Sequence, residues 1–211
     1  MTGEEHIDAL IRRYPDLDCC GKEIMKAAQT IIHCFEQGGK LLLCGNGGSC
    51  ADAEHMAGEL MKSFEKKRPL PKELKEELPL ASPEQGGYLA QNLQQALPAI
   101  SLCSQTSLLS AISNDMDADL VFSQQIVGYG NRGDVLFAFS TSGNSQNVVN
   151  AVITAKAKGL GLIGLTGEQG GSMKQYCDIA ICVPSTTTAE IQEYHLPVYH
   201  TLCRIIETHF F

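Results

Sequence analysis

The order of apolar and polar positions changes character along the chain. From Lys22 to Glu36 the apolar residues Ile24, Ala27, Ala28, Ile31 and Ile32 recur at the spacing of one helix face. Gly38-Gly39 follows as the expected helix stop. A short apolar run, KLLLC (40–44), then breaks into GNGGS (45–49) and a second helical stretch over 50–64. The same grammar returns four times. AISL (99–102) leads to a Ser/Thr-rich turn and a helix. DVLFAFS (134–140) leads to TSGNS and a helix through Lys158. LGLIGLT (160–166) leads to GEQGG and a short helix, and DIAICVP (178–184) leads to STTTAE and a terminal helix.

Short apolar strands alternating with helices predict a parallel sheet covered on both faces. Right-handed crossovers make such a sheet doubly wound, and its ligands gather beyond the carboxyl ends of the strands. The pattern therefore predicts a single α/β domain over 1–211. It is a three-layer αβα sandwich with a doubly wound parallel sheet of about five strands. A helical extension over about 1–38 precedes it, and an insertion at about 65–97 separates two strand units. The insertion reads as partly helical. Its charged run reads as a solvated face, with Lys66, Lys67 or Arg68 as the positions able to meet a ligand.

Composition narrows the function classes. The 211 residues, 44% of them hydrophobic, suffice for a core without disulfides or metal staples. A formal charge of -8 argues against a nucleic-acid coat, which needs a basic excess. The nine cysteines are odd in number and form no Cys-x-x-Cys pair, so they read as reduced core thiols of a cytoplasmic protein. The amino terminus is too polar for a signal peptide. The uncharged stretch 85–114 is interrupted by Gln, Asn, Ser and Pro98, so no membrane span is expected.

Two loops carry candidate chemistry. GNGGS (45–49) and STSGNS (140–145) each follow an apolar strand and open a helix. Free backbone N–H groups and the positive helix end favour an anion there, and Ser and Thr hydroxyls add donors without bulk. A sugar phosphate could be held this way without a lysine. The same residues also serve as turn formers and N-caps. No P-loop motif occurs. GLGLIG (159–164) matches a dinucleotide fingerprint only by letter, because its glycines enter a strand instead of leaving one; Gly159 fits better as a helix cap.

In CADAEHMAGEL, His55 and Glu59 stand at i, i+4 on one helix face. Such a pair can hold zinc or another borderline cation, and it can equally be an ordinary surface pair. Gln192 and His200 share a side of the terminal helix, with Cα atoms roughly 12 Å apart at the α-helical rise. They would reach one ion only through converging side chains, a kink at Pro197, or a neighbouring subunit. His6, His33, His195 and His209 read as surface or packing residues, with Glu193 and His195 at most outer neighbours of the site.

Taken together, CGNGGSCADAEHMAGEL (44–60), AISNDMD (111–117), FSQQIVGYGNRGDVLFAFSTSGNSQNVVNA (122–151), LTGEQGG (165–171) and EIQEYHLPVYHTLC (190–203) resemble the sugar isomerase (SIS) domain family, and within it the bacterial phosphoheptose isomerases. The likeness runs in order from about Ala27 to the end. It departs at the insertion and at Ala189, where some members carry an acidic residue.

The resemblance implies a flavodoxin-like SIS fold and metal ligands at His55, Glu59, Gln192 and His200, with one zinc per chain. It implies substrate contacts from Asn46, Gly47, Gly48, Ser49, Glu59, Asn114, Asp115 and Gln192, and a phosphate grip from Ser140, Thr141, Ser142 and Ser145. Glu59 and His200 are the implied catalytic pair, and the implied assembly is a homotetramer with interfacial sites. The implied reaction converts sedoheptulose 7-phosphate to a manno-heptose 7-phosphate. The alternatives are an isomerase of another phosphosugar, and a non-catalytic relative that binds phosphosugars or assists replication initiation. That relative looks degenerate at the positions of Glu59 and His200, and both are intact here.

Overall fold

Five parallel strands run through the computed structural model, which describes residues 1–211: β1 (Leu41–Cys44), β2 (Ala99–Ser101), β3 (Val135–Ser140), β4 (Gly161–Gly167) and β5 (Ile179–Val183). Their spatial order is β2-β1-β3-β4-β5. Every residue of β1 and β3 is buried, as expected for central strands covered on both faces. Leu41 is in register with Val135 on one side and Ala99 on the other. At the amino ends, Asp134 accepts hydrogen bonds from the Lys40 and Asn131 amides and pairs with Lys40 Nζ at 2.6 Å. This carboxylate ties the starts of the two central strands together.

Helices α1 (Gly3–Arg13), α2 (Gly21–Glu36), α3 (Gly48–Met61) and α9 (Thr188–Phe210) cover one face; α6 (Thr106–Asp115), α7 (Val121–Tyr129) and α8 (Gln146–Lys158) cover the other. The predicted three layers and five strands are present. A Thr2–Glu5 capping box starts α1, and Gly159, at φ 77°, caps α8 in the left-handed conformation. Two boundaries differ from the sequence expectation. Helix α3 stops at Met61, and the short helix after GEQGG is only a 3₁₀ turn, Lys174–Tyr176. Its glycines and the nearby β5 leave too few residues for an α-helical turn to propagate.

The chain runs β1 then β2 toward one edge before returning to place β3 on the other side of β1. The strand order thus reverses between β1 and β3, and a crevice opens beyond their carboxyl ends. The loops that leave these two strands are GNGGS and STSGNS.

The insertion forms α4 (Lys72–Ala81) and α5 (Gly86–Asn92), which pack on each other. No α4 residue is buried. Its basic start corrects the sequence reading. Arg68 belongs to the interior, not to a solvated face or a ligand, with 1% of its surface exposed. Its Nε donates to Glu207 Oε1 at 2.8 Å, its Nη1 to the Leu60 carbonyl and its Nη2 to the Glu59 carbonyl. Glu207 also accepts the amides of Phe64, Glu65 and Lys66. The charge had looked solvated because sequence pattern cannot show that a carboxylate 139 positions away would meet it.

Burial alone would raise the Glu207 carboxyl, but the Phe64 and Glu65 amides and Arg68 outweigh it and leave it below its ordinary 4.5. A group depressed in the folded state stabilises above its unfolded value and loses that contribution as pH falls through the folded one. Glu207→Gln, which leaves Arg68 buried and unpaired, should destabilise the fold by about 3–5 kcal/mol in urea unfolding near pH 7. The gap to the parent should narrow as pH drops below the ordinary glutamate range. A cost under about 1 kcal/mol, typical of an exposed pair, would show that the pair is not structural.

Candidate active site

The crevice at the β1/β3 switch holds a cavity of about 240 Å³ lined by Asn46, Gly47, Gly48, Ser49, Phe139, Ser140, Thr141, Ser145, Thr188 and Gln192. Three helices start at its wall: α3 at Gly48, α8 just after its N-cap Ser145, and α9 at Thr188. Each start presents unpaired amides and the positive end of a helix dipole, and no lysine or arginine lines the space. The first loop is tied to the first turn of α8 by reciprocal Asn46–Asn147 side-chain hydrogen bonds of 2.8 and 3.0 Å. Inside the second loop, the Ser140 hydroxyl accepts the Gly143 amide at 3.1 Å. A Cβ on Gly48 would collide with the Gln192 carboxamide, so glycine there lets α9 approach α3.

Ser142 falls outside this cavity. It accepts the Asn144 amide and lines an adjoining cleft of about 150 Å³ with Glu168, Gln169, Ser185 and Thr186. Asn114 and Asp115 are exposed at the end of α6, hydrogen-bonded to each other at 2.8 Å, and they line neither space. Thr188 was not legible in the sequence. Its one signal was its place at the start of the helix after β5.

A second cluster forms farther along α3 and α9. His55 Nε2 lies 3.2 Å from Glu59 Oε1, and Glu59 Oε2 pairs with Lys62 Nζ at 2.8 Å. The His200 ring stands edge-on to His55 with centroids 5.0 Å apart. Its Nε2 is buried without a hydrogen-bond partner. Burial, then the neighbouring His55, lowers the His200 imidazole below the ordinary histidine range. Helix α9 runs unbroken through Pro197, so no break there draws Gln192 toward His200. Gln192 instead faces Gly48 and the loop cavity. Within one chain Gln192 thus stays apart from the His55–Glu59–His200 cluster, and no three His, Cys, Asp or Glu side chains converge as a metal cage.

Two further residues back this cluster. The Tyr199 hydroxyl is 2.8 Å from His55 Nδ1, and Asp52 Oδ2, three residues before His55 on α3, is buried without a hydrogen-bond partner. Burial pushes Asp52 up to about 6, against the opposing pull of Tyr199 and His55. His195, fully buried with its Nδ1 4.0 Å from Asp52, is lowered to about 4 by burial and is a core residue. Glu193 is exposed. Lys62 could have been suspected from its i, i+3 spacing to Glu59; Tyr199 could not, because its partners lie on another helix.

Comparison with known proteins agrees with this architecture. A family model described as SIS domain matches residues 17–79 and 80–167. The phosphoheptose isomerase of Rhodospirillum rubrum is 42% identical over 188 residues, covering 89% of this chain and 86% of that protein. The phosphoheptose isomerase of a Campylobacter jejuni strain is also 42% identical over 188 residues, covering 89% and 87%. Among solved structures, phosphoheptose isomerase GmhA from Neisseria gonorrhoeae superposes with a TM-score of 0.75 at 34% identity, over 97% of this chain and 96% of that one. The phosphoheptose isomerase from Francisella tularensis superposes with a TM-score of 0.77 at 30% identity, over 99% and 100%. This chain belongs to the SIS-domain family and, within it, to the phosphoheptose isomerases.

Proposed function

We propose that this chain is an aldose–ketose isomerase that converts sedoheptulose 7-phosphate to D-glycero-D-manno-heptose 7-phosphate. The observation that carries the reading is the pairing of two sites on α3 and α9. The first is an anion cavity ringed by three helix starts; the second is a carboxylate–imidazole cluster. The phosphate is the group the cavity suits, because backbone amides and hydroxyls supply the donors. Ser49, Ser140, Thr141, Ser145 and Thr188 offer hydroxyls, and the glycines allow close approach.

Glu59 is the base. Its carboxylate takes the C1 proton of the ketose, giving an enediol, and a proton delivered at C2 completes the aldose. His200, kept uncharged by burial, carries the hydroxyl proton between O1 and O2, so the protons balance with no external acid. The donor types suit a borderline cation: a buried imidazole nitrogen without a partner, a second imidazole, and a carboxylate 3.2 Å from it. His55, Glu59, His200 and Gln192 would hold one zinc per chain. Bound there, zinc would supply Lewis acidity toward the oxygens at C1 and C2.

The active form in this reading is a homotetramer with sites at subunit interfaces. Its support is that Gln192 faces the loop cavity instead of the His55–Glu59–His200 cluster within one chain. In addition, a cavity of about 460 Å³ beside His200, lined by His6, Arg13 and Arg204 among others, opens between α1 and α9. All nine cysteines are free, which supports a reducing, cytoplasmic setting. No helix is long and apolar enough to cross a membrane.

Replacing Glu59 by Gln should lower kcat by roughly 10²–10⁴ in a coupled assay with sedoheptulose 7-phosphate, with circular dichroism and sedimentation unchanged. Turnover within threefold of the parent would remove Glu59 from the proton transfer.

Phosphate grip is felt equally in ground and transition states, so its loss raises KM more than it lowers kcat. Ser145→Ala, which empties a position on the loop cavity, should therefore raise KM well beyond Ser142→Ala, whose side chain faces the adjoining cleft. Equal effects would place the phosphate across both spaces.

His200→Ala should bind less zinc and lose most activity yet remain folded, since a core of this size does not depend on a metal. Elemental analysis and sedimentation of parent and variant check this. Full activity of chelator-stripped parent protein would overturn the metal assignment.

A further inference from the structure

We propose that the GEQGG segment, Gly167–Gly171, is a positioning element for the phosphate grip. With the two residues that follow it, the segment holds the Thr141 and Gly143 carbonyls out of the loop cavity, which leaves hydroxyls and free amides for the anion. This rests on the reading of that cavity as the phosphate site.

The constraint is electrostatic. Every residue of a loop brings a backbone acceptor as well as a donor, and a carbonyl turned toward a phosphate repels it where an amide attracts. A loop that grips an anion without lysine or arginine therefore needs its carbonyls engaged elsewhere. The Thr141 carbonyl accepts the Gly167 amide at 3.0 Å and the Thr166 hydroxyl at 3.4 Å. The Gly143 carbonyl accepts the Met173 amide at 2.9 Å and the Ser172 hydroxyl at 3.4 Å. None of these four donor residues lines the loop cavity. The amides of Ser142 and Ser145, by contrast, donate to no other backbone group. The Ser145 hydroxyl makes no capping bond to α8, and its hydrogen-bond partner is the Ser140 hydroxyl at 3.5 Å.

The two loops meet backbone to backbone. Gly143 and Gly171 are both left-handed, at φ 65° and 59°. A Cβ on Gly143 would run into the Gly170 carbonyl, and one on Gly171 into the Ser142 carbonyl and Gly143. A side chain at either position would both strain the backbone and push the loops apart. Asn144 bridges the same gap. Its Oδ1 accepts the Ser172 amide at 2.8 Å, and its Nδ2 donates to the Ser142 carbonyl at 3.0 Å, which engages a third carbonyl of the loop. No residue of GEQGG lines the loop cavity, so its effect on the anion passes through STSGNS.

Two variants loosen the contact by different means. Gly171→Ala adds the colliding Cβ, whereas Asn144→Ala removes the bridge and adds no atom. Gly38→Ala controls for backbone strain, because Gly38 is also left-handed, at φ 75°, with open space around it. Affinity for inorganic phosphate is read by phosphorus-31 titration of the full-length protein, and KM and kcat by the coupled assay with sedoheptulose 7-phosphate. Both loop variants should weaken phosphate binding and raise KM roughly 10- to 100-fold, the worth of one hydrogen bond to a charged group. Their kcat should stay within about threefold, since grip lost equally from ground and transition states appears in KM. Gly38→Ala should lose thermal stability and move neither readout.

Phosphate affinity and KM within twofold of the parent in a folded Gly171→Ala overturn the proposal. Should that variant not fold, the same result in Asn144→Ala overturns it, and so does an equal shift in Gly38→Ala. The titration is made without turnover. A phosphate affinity that Ser145→Ala leaves unchanged would sink the phosphate reading of the cavity, and the positioning role with it. An affinity that falls in Ser145→Ala but in neither loop variant would sink the positioning role alone.

Discussion

The buried Arg68–Glu207 pair is the contact on which the rest of the site depends. Side-chain exposures of 0% and 2% take both charges out of water, a cost that only dense hydrogen bonding can offset. The arginine satisfies the last carbonyls of α3 at Glu59 and Leu60, where the helix dipole is negative and favours a cation. The glutamate gathers three consecutive amides from the chain that leaves α3. Together they fasten the end of α3 to the last turns of α9. Since α3 carries His55 and Glu59 while α9 carries Tyr199 and His200, their separation is set here.

At its other end α3 does different work. Its first turn joins the starts of α8 and α9 around the loop cavity. The fold creates this convergence because strand order reverses at β1/β3, which turns the loops that leave β1 and β3 toward one crevice. A chain with a net charge of -8 can still attract an anion there, since the partial charges of three helix ends act within a few ångströms, where distant surface carboxylates are screened. One helix pair thus carries the loop cavity at one end and the carboxylate–imidazole cluster at the other, on one face of the parallel sheet. The Gly48–Gln192 approach closes the first end, and the buried ion pair closes the second.

The layers and strands were legible because each strand is a short apolar run punctuated by Gly, Ser or Asn, and such local signals survive without tertiary context. GNGGS and STSGNS were legible for the same reason, as were His55 and Glu59, whose i, i+4 spacing brings them together on any helix. The 65–97 insertion was legible only as charged and partly helical. Its two helices pack on each other and leave Leu80 and Tyr88 exposed. Nothing in its pattern marked Arg68, the one charged residue there that goes inside.

By itself, then, the sequence determined the α/β sandwich, the loops at the carboxyl ends of its strands and the pairing of His55 with Glu59, because period, turn chemistry and helical spacing are short-range properties. Only the tertiary structure decided that Arg68 is a clamp, that Ser142 turns away from the cavity Ser145 lines, that Gln192 faces Gly48 and not His200, and that Tyr199 meets His55 across 144 positions of chain. These are contacts between distant segments. They are chosen by how helices pack on a twisted sheet, and no local pattern encodes which side chain of α9 will lie opposite which side chain of α3.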